Sequence, residues 1–283
     1  MLRSIVNVLT VCSVGGVNTF MNQAIYPDLK GKFALITGAS RRNGIGAATC
    51  RALAMQGTNI LLTTWQAYDQ EQPHGADENG PIALEQAVLG MGVQVRHLEI
   101  DLAHPDSPAQ VFDCAQKWLG LPDILVNNAA CSTRDGFERL DAATLDAHYA
   151  VNMRATFLLS VEFARRAKAL GRSNGHIISM SSGQGWGPIP SELAYVATKG
   201  AIEAFTLSLA AELAALGITV NAVDPGPTDT GWMTEQMRND WATPSGLPKF
   251  NQPDDAARVI VFLASDAARH VTGQVIHARG SAI

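Results

Sequence analysis

The chain has 283 residues, 47% of them hydrophobic and 17% charged, with a formal net charge of −5. That length and apolar fraction suffice for one large core, and the acidic balance, with no lysine or arginine run longer than two, excludes a basic nucleic-acid surface. Cys12, Cys50, Cys114 and Cys131 form no C-x-x-C pair and stand at no metal-ligand spacing with the seven histidines, the pattern of a reduced, metal-free cytoplasmic protein rather than a zinc enzyme.

Residues 1–20 are mildly apolar but broken by Asn7, Asn18 and the Gly15-Gly16 pair, with Arg3 their only charge. The stretch is too short and interrupted to cross a membrane, although a weak secretory signal is an alternative. The expectation is an N-terminal extension over 1–27, disordered or upstream of a functional start at Met21, and one catalytic domain over 28–283. Lys32 to Thr37 reads as a buried first strand. It runs into GASRRNGIGAATCRALAMQG, where Gly38, Gly44 and Gly46 open a helix that ends near Gly57. Glycines at such a turn let the backbone approach a pyrophosphate, and the helix N-terminus offers amide donors and a positive dipole end.

The next strand, NILLTT, ends at Thr64 and Trp65, where an NAD-preferring nucleotide fold places an acid for the ribose 2′-hydroxyl. No acid stands there in the sequence. Arg41 and Arg42 in the glycine loop carry fixed charges suited to a 2′-phosphate, so NADP(H) is expected over NAD(H) unless both arginines lie in solvent. Residues 66–80 are polar and turn-rich and read as an exposed insertion without an assigned role, and Pro81 begins the next helix. VQVRHLEIDL reads as a strand to Asp101, followed by a helix with Asp106 or Ser107 as cap, and DILVNNAA is the fourth strand. Asn127, Asn128, Ala129 and Ala130 close it with side chains small enough for a nucleotide to lie against the sheet edge. A helix through YAVNMRATFLLSVEFARRAKAL turns Asn152 inward, where structural bonding is the default role and holding water near Lys199 the functional one.

HIISMSS reads as a buried strand leaving the sheet at Ser182, and AYVATKGAIEAFTLSLAAEL as a helix. Tyr195 and Lys199 then lie one turn apart on one face. A phenol of pKa about 10 shuttles protons poorly near neutrality until a neighbouring cation favours its anion. Ser182 could hydrogen-bond the same carbonyl oxygen and stabilise its developing charge. Tyr-x-x-x-Lys on a helix also arises by chance, and the serine at a strand end is what gives the pair weight. ITVNAVDPG is a further strand stopped by Pro225-Gly226. The stretch 227–250 has no clean period yet carries Trp232, Met233, Met237 and Trp241, which reads as a lid over an apolar substrate or as packing on the body of the protein. DDAARVIVFLAS is a capped helix and VTGQVIHA the last strand.

Strands alternate with helices throughout, which predicts a single α/β domain with a Rossmann-like, doubly wound parallel sheet of about seven strands. TGASRRNGIG, Asp101-Leu102, Asn127-Asn128-Ala129-Ala130, Asn152, Ser182, Tyr195 with Lys199, and Pro225-Gly226 followed by Thr230 together resemble the short-chain dehydrogenase/reductase family from about Lys32 to Gly280. The resemblance implies Tyr195 as general acid/base, Lys199 lowering its pKa and holding the nicotinamide ribose, Ser182 positioning the carbonyl, and Asn152 anchoring a relay water. It implies phosphate contacts at Gly38, Ser40, Arg41, Arg42, Gly44, Ile45 and Gly46, and adenosine contacts at Thr64, Asp101, Leu102, Asn128 and Ala129. Pro225, Gly226, Thr228 and Thr230 would flank the nicotinamide, and Gln184, Trp232 and Met233 are the candidate substrate contacts.

Three departures from the family pattern stand out: two extra residues in the glycine loop, Ala130 for the usual glycine, and an ending, HARGSAI, without the usual aspartate. The look is closest to the 3-oxoacyl-carrier-protein reductase branch, but Ala211 and Leu216 stand where carrier-docking arginines are common. A different ketone, sugar or steroid-like substrate, a non-catalytic NADP sensor, and an epimerase or dehydratase are the alternatives. Apolar stripes at Phe157, Leu158 and Val161 and at Ile202, Phe205 and Leu209 suggest a homodimer or homotetramer, or packing inside one subunit.

Overall fold

Among the described residues seven short strands form one sheet, and its five central strands are covered on both faces, as a parallel sheet between two helical layers requires, while the two edge strands are partly open. The seven are β1 (Phe33–Ile36), β2 (Asn59–Thr64), β3 (Val95–Glu99), β4 (Ile124–Asn127), β5 (Gly175–Met180), β6 (Ile218–Asp224) and β7 (Val275–His277), in the order β3-β2-β1-β4-β5-β6-β7 with every neighbouring pair parallel. The structure, a computed structural model, describes residues 24–72, 75–77, 79–185, 187–231, 233–236 and 250–279.

The period of two along a strand sorts its residues between two cores. Ala34, Ile36, Ile60, Leu62, Ile124 and Val126 face one side, where α1 (Ile45–Met55), α3 (Gly80–Leu89) and α8 (Pro253–Leu263) cover them. Phe33, Leu35, Leu61, Leu125 and Ile177 face the other, under α4 (Ser107–Trp118), α6 (Thr156–Ala169) and α7 (Leu193–Leu213). β1 lies between β2 and β4, so the winding reverses there. The carboxyl ends of β1 and β4 are the place where an open α/β sheet binds its ligand.

Residues just before 28 are bonded to the body of the chain: Tyr26 N donates to Gln56 Oε1 at 2.8 Å, and Gln56 Nε2 donates to the Ala24 carbonyl at 3.0 Å. Two expectations are corrected by the structure. The stretch 66–80 is not merely an exposed insertion: it begins as α2 (Gln66–Glu71), in which Asp69 is buried. The helix predicted through Asn152 is composite, with α5 (Ala142–His148) passing into a π-helical turn (Tyr149–Ala155) before α6. Ile202 and Leu209 belong to the subunit's own core, and Phe157 stacks on Phe205 with centroids 3.9 Å apart. Residues 1–23, Trp232 and 237–249, which include Met237 and Trp241 of the expected lid, lie outside the described residues.

Candidate active site

The glycine turn follows β1 directly. Gly38 has φ +70°, and a Cβ there would lie 2.6 Å from Ala129 Cα. A Cβ on Gly46 would lie 2.6 Å from the Gly38 carbonyl oxygen, so the first turn of α1 packs against the turn that precedes it. Thr37 Oγ1 accepts from the amides of Asn128 and Ala129, each at 3.0 Å. Asn128 Nδ2 donates to the carbonyls of Thr37 at 3.0 Å and Gly38 at 2.8 Å. Asn128, one of the expected adenosine contacts, thus braces the glycine turn through its amide nitrogen. α1 starts after Gly44 with no side-chain cap, which leaves first-turn amides oriented toward the groove.

The two arginines of the loop part company. Arg42 donates to both oxygens of Asp77 at 3.1 Å, while Arg41 reaches the Thr230 carbonyl and hydroxyl at 3.5 Å across the groove. The missing acid at the end of β2 is also supplied in space. Register pairs Thr64 with Glu99, whose carboxylate accepts from the Thr64 hydroxyl and, at 2.6 Å, from the Gln66 amide. His97 Nε2 lies 2.6 Å from the same hydroxyl. Ser40 Oγ accepts from Trp65 N at 3.3 Å. Asp101 Oδ1 accepts from Ala103 N at 2.8 Å, and Leu102 is buried beside it.

At the end of β5, Ser182 stands beside Tyr195, and its interaction with the phenol works against the upward push of burial. Lys199 lies one turn farther along α7, its Nζ 5.4 Å from the centroid of the Tyr195 ring and donating to the Met180 carbonyl at 2.8 Å. Burial pushes the Tyr195 phenol up to about 12 and holds Lys199 down at about 8. The expected lowering of Tyr195 by Lys199 is thus outweighed in the protein alone, because the ammonium is aimed at a carbonyl and burial favours both neutral forms.

Asn152 is fully buried in the π-helical turn. Its Oδ1 accepts from Cys131 N at 2.7 Å, and its Nδ2 donates to the Cys131 carbonyl at 2.9 Å and to Thr198 Oγ1 at 3.0 Å. Thr198 Oγ1 in turn donates to the Tyr195 carbonyl at 2.8 Å. The side chain therefore ties the chain leaving β4 to the helix that carries Tyr195. Gln184 Nε2 donates to Glu203 at 2.7 Å and Ser181 at 3.1 Å, while its Oε1 is buried without a partner among the described residues. Met233 is buried, and Thr228 folds back onto the carbonyls of Pro225 and Gly226 at 3.1 Å.

Two supports had no signal in the reading of the sequence. Asp135, between β4 and α5, is 5% exposed and accepts from Leu193 N at 2.7 Å, from Ala194 N at 2.8 Å and from Gly136 N. It caps α7 from a distant loop, since the residue at the helix's own N-cap, Glu192, makes no side-chain cap bond. Burial alone raises the Asp135 carboxyl, but these amides more than offset it and hold it below the usual range. Asp224, at the end of β6, accepts from Arg279 Nε at 2.7 Å and from Gly226 N at 2.9 Å, with His277 Nδ1 at 2.9 Å. The Arg279 guanidinium occupies the space that a side chain on Gly183 would need, so this pair fastens the final segment against the loop that carries Ser182.

These elements match known proteins over nearly the whole domain. The family model described as Enoyl-(Acyl carrier protein) reductase matches residues 38–280. A short-chain dehydrogenase/reductase from Serratia marcescens superposes with a TM-score of 0.76 at 30% identity, over 88% of this chain and 97% of its own. The chain belongs to the short-chain dehydrogenase/reductase family. It is 51% identical over 252 residues to an uncharacterized oxidoreductase, YjdA, of Bacillus subtilis, covering 89% of this chain and 97% of the relative. A blue fluorescent protein from a metagenomic library, solved in complex with NADPH, superposes with a TM-score of 0.78 at 32% identity, over 89% of this chain and 98% of its own. The chain is accordingly a short-chain dehydrogenase/reductase enzyme with a Rossmann-like fold. Among the described residues no helix is long and apolar enough to cross a membrane.

Proposed function

We propose that this oxidoreductase interconverts a ketone and a secondary alcohol, with Tyr195 as general acid/base and NADP(H) as the preferred nucleotide. The observation that carries the reading is the gathering of Ser182, Tyr195 and Lys199 at the strand ends beside the glycine turn, with the Lys199 Nζ 5.4 Å from the centroid of the Tyr195 ring. The groove fits a nicotinamide dinucleotide: side chains are absent where the backbones of Gly38 and Gly46 meet their neighbours, and the start of α1 has no side-chain cap. When bound, the nucleotide supplies or accepts the hydride, and its oxidised ring adds a positive charge.

Tyr195 gives its proton to the carbonyl oxygen in reduction and takes it back in oxidation. Ser182 donates to the same oxygen and holds it near the phenol. Lys199 places a positive charge beside the ring and keeps the proton mobile. Asn152 and Asp135 fix where α7 begins and how it faces β4. Arg41 meets the 2′-phosphate, because Arg42 is already engaged by Asp77. The Glu99 oxygens are engaged by Thr64 and Gln66, which keeps that acid from serving the 2′-hydroxyl and favours NADP(H).

The acyl-thioester ketone of the carrier-protein reductases is the first substrate to try, since a 3-oxoacyl-[acyl-carrier-protein] reductase of Aquifex aeolicus is 31% identical to this chain over 255 residues. Leu158 and Leu207, 38% and 64% exposed on α6 and α7, support pairing of two or four copies, which light scattering tests. With reduced cysteines and no spanning helix among the described residues, a cytoplasmic enzyme fits the whole. The test of the function is nucleotide oxidation against acetoacetyl thioesters, diketones and simple ketones. Turnover of any of them with NADPH, slower with NADH, is expected, and binding of nucleotide without turnover of any ketone would count against the reaction.

A further inference from the structure

The segment after β2 takes part in the groove. α2 is fastened at its base, where Trp65 N donates to Ser40 Oγ at 3.3 Å and Gln66 N donates to Glu99 Oε1 at 2.6 Å. Tyr68 then reaches the chain that leaves β4: its hydroxyl accepts from Ser132 N at 2.9 Å and donates to the Ser132 carbonyl at 3.4 Å. Farther along, Asp77 holds Arg42, and a Cβ on Gly80 would lie 2.8 Å from the Ser40 carbonyl oxygen. Both ends of the stretch thus sit on the glycine loop, while Tyr68 in α2 is bonded to the opposite wall.

β2 and β4 flank β1, so the bond from Tyr68 to Ser132 spans the carboxyl end of β1, where the glycine turn lies. We propose that Tyr68 belongs to the dinucleotide site as a clasp, closing α2 over bound nucleotide through Ser132 and setting the rate at which nucleotide leaves. The inference rests on the dinucleotide reading above. A phenol suits the task, because its ring can cover a nucleotide while its hydroxyl holds a backbone N–H and C=O together. Both partners on Ser132 are main-chain atoms, so the clasp does not need the serine side chain.

The experiment is a stopped-flow chase of NADPH fluorescence from the wild type, Tyr68→Phe, Asp77→Ala and Ser132→Ala. Losing the hydroxyl's bonds is expected to speed dissociation about 3- to 10-fold, with association changed far less. Asp77→Ala, which frees the far end at an exposed site, is expected to shift dissociation the same way, and Ser132→Ala to leave it unchanged. Hydrogen exchange over 66–72 should slow on NADPH binding in the wild type and slow less in Tyr68→Phe. Dissociation from Tyr68→Phe and Asp77→Ala at the wild-type rate or slower would overturn the clasp and leave the dinucleotide reading standing. A wild type that binds neither NADPH nor NADH would overturn the dinucleotide reading itself.

Discussion

Replacing Asp135 by alanine removes the acceptor for three backbone amides at once, two of them the first residues of the helix that carries Tyr195. Hydrogen bonds to a charged acceptor contribute about 1.5 to 3 kcal/mol each, a helix cap about 0.5 to 2, and water entering the vacated space recovers part of the loss. The expected net cost is about 2 to 4 kcal/mol, or about 4 to 12 °C in Tm for a domain of this size. Asp135→Asn keeps one neutral acceptor and should fall about halfway. Fraying at Leu193 and Ala194 displaces the adjacent Tyr195, and a shift of about 1 Å in a reacting group costs about 100-fold in rate. Thermal unfolding followed by circular dichroism, together with kcat for whichever ketone proves a substrate, measures both effects. An Asp135→Ala protein with wild-type Tm and wild-type kcat would refute the cap. Because the native carboxyl titrates below its unfolded value, its contribution is present above the unfolded pKa and disappears as pH falls through the folded one. Asp135→Asn should therefore flatten the acid limb of the stability curve.

Gly38→Ala must hold a left-handed φ with a Cβ against Ala129, so NADPH affinity is expected to fall more than tenfold, about 1.4 kcal/mol, by fluorescence titration. Lys199 is held at about 8 against an ordinary 10.5, so the unfolded chain binds a proton there that the native protein lacks. Stability should rise with pH through that window, and urea midpoints of Lys199→Met should lose the rise. Arg41→Ala should weaken NADPH about tenfold and leave NADH nearly unchanged, whereas equal losses for both nucleotides would move the 2′-phosphate elsewhere.

The features legible in the sequence were those whose parts lie close together in the chain. Gly38, Gly44 and Gly46 follow their strand directly, and Tyr195 and Lys199 are one helical turn apart, so period and order sufficed to place them. The supports were hidden because each partner comes from another element. Asp135 caps an amide 58 residues away, Tyr68 reaches across 64, and Arg279 finds Asp224 across 55. Glu99 reaches Thr64 only through strand register, which no local pattern encodes. The polar composition of 66–80 suggested exposure, yet tertiary bonds to the glycine loop fold it onto the groove. Asn152 was legible as a buried polar group that needs partners, but not which partners it takes.

The central claim is that the Tyr195 hydroxyl carries the proton, and the most direct measurement is kcat for Tyr195→Phe on a reducible ketone beside its NADPH dissociation constant. The phenyl ring keeps the packing and loses the proton, so kcat should fall about 100- to 10,000-fold while nucleotide affinity stays nearly unchanged. Turnover close to the wild-type rate would contradict the account and move the acid/base role to another group.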